Sequence, residues 1–281
     1  MNSLSRHPTP VAELPPRCLT GGIDVGSTYT KAAIADEEGR VVARAACPTG
    51  FNFELAADRA LEEAGYPRDE LDYVAATGYG RYMVSFRDLA ITELTCHARA
   101  VHQAFPAVRT VLDVGGQTAK AIRVDELGRV KAFRLNDKCA AGSGAFLEKT
   151  VRYMGFEVTD IPRLADAADD PAEVSSVCTV FAESEVINHL ADGRSAEDIC
   201  AGAVVALAGR AGQLVKRVKP EAEFALTGGL TRVPLMKREL EEILGVEFLI
   251  GDDELGVYAG AIGAALLAQQ RLRKLASAAK A

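Results

Sequence analysis

Asp24 and Lys31 recur as Asp113 and Lys120, each 89 residues further on. The surrounding stretches, Gly22–Val41 and Val111–Val130, align without a gap and agree at 10 of 20 positions, so the chain starts the same structural unit twice. Each copy reads Asp-Val-Gly, a few small or polar residues, then Lys. Glycine lets a turn bring backbone N–H groups against an anion. Ser27 and Thr28 in one copy, and Gly116 and Gln117 in the other, add short polar groups. Two such loops face to face would grip a polyphosphate from both sides, with the aspartates holding a hydrated Mg²⁺ on it. One loop alone reads equally well as an ordinary hairpin with a glycine turn. It is the gapless duplication, with Asp, Gly and Lys all retained, that argues for phosphate.

The second group of reactive residues is cysteine. Cys139 lies in Asn136–Gly144, a Gly/Ala/Ser loop, and Cys178 in Val177–Glu185. Each precedes a predicted helix, whose N-terminus lowers a thiol pKa and steadies a thiolate. On the residues alone, buried packing cysteines are the default reading. Two thiolates cannot complete a four-cysteine cubane site, but two subunits about a two-fold axis could, each giving Cys139 and Cys178. The adjacent Cys96 and His97 point apart on a helix and have no second pair to match them, so they read as structural. Cys18, Cys47 and Cys200 lack partner spacing and read as packing residues.

Positioning these groups requires strands ending at the loops. After the first hairpin come a strand over 41–47, a helix over 53–64, a short strand over 73–76 and a long helix over 89–105 ended by Pro106. The pattern then restarts with strands over 110–114, 119–124 and 130–135 and a helix over 145–154. An acidic surface excursion follows over 160–171, then helices over 178–190 and 199–216. A strand over 223–227 leads to Gly228-Gly229. A helix over 233–244, a strand over 246–250 and a closing helix over 257–281, small and apolar at first, complete the chain. Two β-β-β-α-β-α units imply twin α/β domains around a cleft, where ligand sites form between domains.

The chain has 281 residues, 48% hydrophobic and 25% charged, and a net charge of −7. This suits a globular protein without a nucleic-acid partner. No apolar run reaches the roughly 18 residues of a membrane span, and the proline-bearing N-terminus lacks the apolar core of a signal peptide. A cytoplasmic location with reduced cysteines is the expectation.

The two loops, the Leu226-Thr227-Gly228-Gly229 turn and the final Gly/Ala helix resemble the actin/sugar-kinase/Hsp70 ATPase superfamily. That resemblance implies an α/β fold of two RNase H-like domains with mixed sheets around a nucleotide cleft. The expected layout is a disordered tail over 1–20, a first domain over 21–105 plus 255–281, and a second over 106–254 carrying the cluster cysteines. It implies that Asp24, Gly26, Ser27, Thr28 and Lys31 form the loop at the β/γ-phosphates. Asp113, Gly115, Gly116 and Gln117 would position the attacking water, with Asp24, Asp113 and Gln117 the catalytic groups, and Gly228 and Gly229 would pack on adenosine. ATP/ADP and Mg²⁺ are the implied ligands.

The words around Cys139 and Cys178, with Ala76–Arg81 and Glu93–Ala98, are similar to the BadF/BadG/BcrA/BcrD-type ATPases over nearly all of 22–268. These are activators of 2-hydroxyacyl-CoA dehydratases and ATPase subunits of class I benzoyl-CoA reductases. The resemblance implies a [4Fe–4S] cluster shared between two subunits and held by Cys139 and Cys178. It also implies a second ATPase subunit, identical or paralogous, an acyl-CoA reductase or dehydratase partner, and reduced ferredoxin or flavodoxin as donor. A benzoyl-CoA-reductase-type subunit is the first reading, a homodimeric dehydratase activator the second, and a small-molecule kinase of the same superfamily the more distant one. Thr118 departs from the family pattern, which often has Asp there, and Thr can be neither carboxylate base nor metal ligand. The helix after Cys178 is expected to turn Glu183, Glu185 and Val186 toward the cleft as a lever.

Overall fold

A computed structural model describes residues 18–136, 142–174, 179–251 and 254–279, without the side chains of 179–183. Cys139 and Cys178 lie outside the described residues.

The repeat in sequence is a repeat in structure down to its irregularities. Strands β1 (Thr20–Val25), β2 (Tyr29–Ala35) and β3 (Val41–Pro48) run antiparallel, and β4 (Tyr73–Thr77) and β5 (Leu89–Ala90) add parallel on the other side of β1. The sheet order is β3-β2-β1-β4-β5. Strands β6 (Thr110–Val114), β7 (Ala119–Val124), β8 (Val130–Asn136), β9 (Phe224–Thr227) and β10 (Phe248–Leu249) repeat it as β8-β7-β6-β9-β10, with the same polarities. Even the register shifts correspond, at Ile34/Ala35 and Arg123/Val124.

Strand alternation then decides which face each side chain takes. Ile23 and Val25 point at α1 (Phe53–Glu63), whose Ala56, Ala57, Ala60 and Leu61 complete that core. Gly22 and Asp24 point the other way, at α8 (Leu255–Ala279): a methyl group at Gly22 would stand 2.0 Å from the Ala261 carbonyl oxygen. In the second sheet Leu112 and Val114 face α3 (Gly144–Tyr153), α6 (Ala196–Arg217) and α7 (Pro234–Leu244). Val111 faces α2 (Glu93–Ala104), packing with Ala98 and Val101. Each sheet is therefore backed by the helix that follows the other sheet in the chain. α2 and α8 meet closely, since a methyl group at Gly263 would fall 1.9 Å from the Cys96 carbonyl oxygen.

Several expectations need correction. The long helix over 89–105 is two elements: Leu89 and Ala90 pair with Ala75 and Ala76, and only after Thr92, whose side chain caps the backbone N–H of Thr95, does α2 begin. The segment 160–171 is no surface excursion in its first half. There α4 (Ile161–Asp166) buries Ile161, Leu164 and Ala165 at i, i+3, i+4 in the second core, its acidic residues turned outward. The end of the expected 1–20 tail belongs to the fold, with Cys18 buried and β1 starting at Thr20. Val186, on α5 (Thr179–Ala191), does not face a cleft; it is buried against Ala172 and Ile199. α6 is the one helix among the described residues long and apolar enough to cross a membrane by length and composition, and 67% of its most apolar window is buried in the protein. It is the central helix of the second core.

Candidate functional site

Alternation places both repeat aspartates on the faces that look toward the crossing helices. Asp24 ends β1 and stands opposite Lys31 on β2; Asp113 ends β6 and stands opposite Lys120 on β7. A cross-strand pair shares one face, so each aspartate meets its lysine. Lys31 Nζ lies 3.5 Å from Asp24 Oδ2, and Lys120 Nζ lies 2.8 Å from Asp113 Oδ2. On the parallel side Asp24 and Asp113 neighbour Thr77 and Thr227, and each Thr leads into a glycine with positive φ, 88° at Gly78 and 94° at Gly228. A methyl group there would stand 2.6 Å from Asp24 Oδ1 or 2.7 Å from Asp113 Oδ1, so glycine is required on both counts.

The two loops are brought face to face. A methyl group at Gly116 would stand 3.2 Å from Thr28 Oγ1 and 4.0 Å from Ser27 Oγ. Thr28, Gly116 and Gln117 are exposed in this gap, while Gly26, Ser27 and Gly115 are half-buried at the loop bases. Thr49 braces loop one, its hydroxyl donating to the Gly26 carbonyl (2.9 Å) and its amide to the Thr28 carbonyl (3.0 Å). Loop two is braced by the start of α3, where the amides of Gly144 and Ala145 donate to the carbonyls of Gly115 and Gly116 (3.0 and 2.6 Å). Gly228, expected on adenosine, is buried against Asp113 and donates its amide to the Gly256 carbonyl (2.8 Å). Gly229 is exposed and faces open space.

The residues that the sequence reading missed lie around Asp113. His97 is buried, not idle: its Nδ1 is 2.9 Å from Thr227 Oγ1 and 3.7 Å from Asp113 Oδ1. Glu93 Oε1 is 3.1 Å from Lys120 Nζ. Burial pushes the Asp113 carboxyl upward, but His97 and Lys120 outweigh it and hold it below the usual carboxylate range. Burial likewise lowers the Lys120 ammonium, and Asp113 and Glu93 reverse that, raising it above its ordinary value. The signal was the i, i+4 spacing of Glu93 and His97, which puts both on one helix face. Cys96 turns away from them, toward the core of Ala75, Ala264 and Ala268, and burial raises its thiol to about 12. Thr77 Oγ1 makes no hydrogen bond of ordinary geometry and lies against that thiol.

Comparison with known proteins places this arrangement. The profile of the BadF/BadG/BcrA/BcrD ATPase family matches residues 22–268. The chain is 39% identical, over 91% of its length and 99% of the relative's, to the activator of lactoyl-CoA dehydratase of Anaerotignum propionicum. It is 37% identical, over 92% and 95%, to one of the subunits of the benzoyl-CoA reductase of Thauera aromatica. The solved activator of the 2-hydroxyisocaproyl-CoA dehydratase from Clostridium difficile, with bound ADPNP, superposes with a TM-score of 0.85 at 36% identity, covering 92% of this chain and 97% of that one. The twin α/β sheets are those of the actin and sugar-kinase ATPase fold, and the chain belongs to the BadF/BadG/BcrA/BcrD ATPase family.

Proposed function

We propose that this chain hydrolyses ATP between its two loops and couples hydrolysis to the delivery of a low-potential electron to an acyl-CoA-processing partner. The observation that carries the reading is the face-to-face pair of duplicated Asp–Lys loops, Gly116 against Thr28, together with a similar solved activator that holds ADPNP. Gly26, Ser27, Thr28 and Lys31 bind the β/γ-phosphates. Asp24, with Lys31 as its ion-pair partner at 3.5 Å, keeps a carboxylate edge for a hydrated Mg²⁺. Asp113, Gly115, Gly116 and Gln117 orient the attacking water, and Gly229 leaves its open face to the nucleoside.

The electron-transfer half rests on the words around Cys139 and Cys178, which resemble those of the family. Burial raises the Cys47 thiol, carries Cys18 to about 11 and takes Cys96 and Cys200 to about 12, as suits thiols packed in the core. Among the described residues no group of three or more His, Cys, Asp or Glu side chains could hold a metal. By that resemblance Cys139 and Cys178 would hold a [4Fe–4S] cluster, two thiolates from each of two subunits, and the bound cluster would provide one-electron chemistry at low potential. Reduced ferredoxin or flavodoxin is the donor, and the cytoplasm keeps the thiols reduced.

Two acceptors fit. Thr118, in place of a carboxylate, suits an ATPase subunit working beside a non-identical one in a benzoyl-CoA-reductase-type complex. The activator relatives favour service to a 2-hydroxyacyl-CoA dehydratase, in which case the second subunit would be a copy of this chain.

The test is iron and acid-labile sulfide per dimer after anaerobic purification, with Cys139→Ser and Cys178→Ser alongside. About four irons per dimer, lost in either variant, is the expected result. No iron, even after reconstitution with a paralogous ATPase subunit, removes the electron-transfer reading and leaves a phosphotransferase of the same fold. Iron in the chain alone favours the dehydratase activator; iron only after mixing favours the reductase.

A further inference from the structure

Asp113 is held by a helix that belongs, in chain order, to the other half of the molecule. α2 follows the strands of the first sheet, yet Glu93 and His97, one turn apart, both reach the second. Glu93 meets Lys120, and His97 meets Thr227 and Asp113. His97 and Thr227 are 4% and 1% exposed, so water is a poor substitute for their contact. Thr227 in turn opens into Gly228, whose backbone presses on Asp113. One imidazole nitrogen therefore bonds the end of β9, which leads into the Gly-Gly turn, and stands 3.7 Å from the aspartate near the end of β6, which carries the second loop. At loop one the aspartate instead has a glycine of α8 beside it, Gly260, where a methyl group would stand 2.7 Å from Asp24 Oδ2.

We propose that His97 is a positioning residue for ATP hydrolysis: its Nδ1 fixes the Thr227 hydroxyl by a hydrogen bond and stands beside the Asp113 carboxylate, and so holds the second loop around the attacking water. The proposal rests on the ATPase reading above. His97 does not touch nucleotide. Its own position is set by the α2–α8 crossing, where Gly263 admits the Cys96 carbonyl.

Three substitutions separate positioning from packing. His97→Asn keeps an amide nitrogen near Nδ1, His97→Gln carries it farther out, near Nε2, and His97→Ala removes it. His97→Ala and His97→Gln are expected to lower kcat about 10- to 100-fold with KM for ATP within about 3-fold, and His97→Asn to recover most of the loss. Equal losses in His97→Asn and His97→Gln, or a loss carried by KM, overturn the proposal and leave the ATPase reading standing. No hydrolysis by the wild type overturns both. Wild-type protein labelled at its imidazole nitrogens gives a reading that does not depend on variants folding. The His97 Nδ1 resonance is expected to move with ADP–aluminium fluoride and not with ADP. If ADP–aluminium fluoride leaves it in place, the proposal is wrong.

Discussion

The two repeated loops share a strand register, a register shift, a Thr-Gly step beside the aspartate and a lysine across from it, yet their surroundings differ. Asp24 has one cation at 3.5 Å and Gly260 at its back. Asp113 has Lys120 at 2.8 Å and His97 at 3.7 Å, with Glu93 behind the lysine. The divergence comes from the backing helices: α8 presents small residues and α2 presents Glu93 and His97. Duplication kept the backbone, and the exchanged helices gave the copies different electrostatics. A loosely paired carboxylate can turn to a metal, whereas a saturated one stays anionic and in place.

The lysines break this comparison most strongly. Lys120 is buried between two carboxylates, so Lys120→Ala leaves Asp113 with His97 at 3.7 Å but without its ion pair at 2.8 Å, and takes the Lys120 ammonium from Glu93. The expected cost is about 3–5 kcal/mol, a fall in Tm of about 10 °C by calorimetry. Lys31→Ala removes a longer, more exposed pair and should cost about 1 kcal/mol or less in stability while weakening ATP binding. Equal losses of Tm would mean that the two aspartates are held alike.

The pH dependence of stability sharpens the same contrast. The Asp113 pKa is lowered in the folded protein, so its contribution is complete above the unfolded value of about 3.9 and is lost as pH falls through that value toward the folded one. The Lys120 pKa is raised, so its contribution is complete below about 10.4 and is lost as pH rises through its folded pKa. Tm should therefore be flat in this respect from about pH 5 to 9, with an acid limb that becomes shallower in Asp113→Asn. An unchanged acid limb would show that the carboxylate contributes nothing through its ionisation.

The strands and loops were legible because a gapless repeat carries backbone information: position 24 and position 113 had to end equivalent strands. The cage around Asp113 was not, because it depends on which helix covers which sheet. Cys96 and His97 are adjacent in the sequence and were weighed as one pair, but α2 lies between the two units and sends the thiol to the Thr77 side and the imidazole to Thr227. Nothing in the periodicity of α2 says that it packs on a sheet formed later in the chain. The same blindness to tertiary context hid α4, whose acidic surroundings in the sequence mask the three apolar residues that it buries.

The braces give the mildest test. Loop one is tied by the Thr49 hydroxyl, which also meets Thr30 Oγ1 at 2.9 Å, and loop two by backbone amides of α3 that no side-chain change removes. Thr49→Val keeps the amide bond to Thr28 and deletes the hydroxyl, at a cost of about 1–2 kcal/mol because the buried Thr30 hydroxyl loses its partner. On the proposed reading loop one holds phosphate in the ground state and the transition state alike, so the expected kinetic result is KM for ATP raised about 3- to 10-fold with kcat nearly unchanged. That is the reverse of the split expected at His97. If Thr49→Val lowered kcat instead, binding and water positioning would not be divided between the two loops, and the asymmetry around their aspartates would be a matter of stability alone.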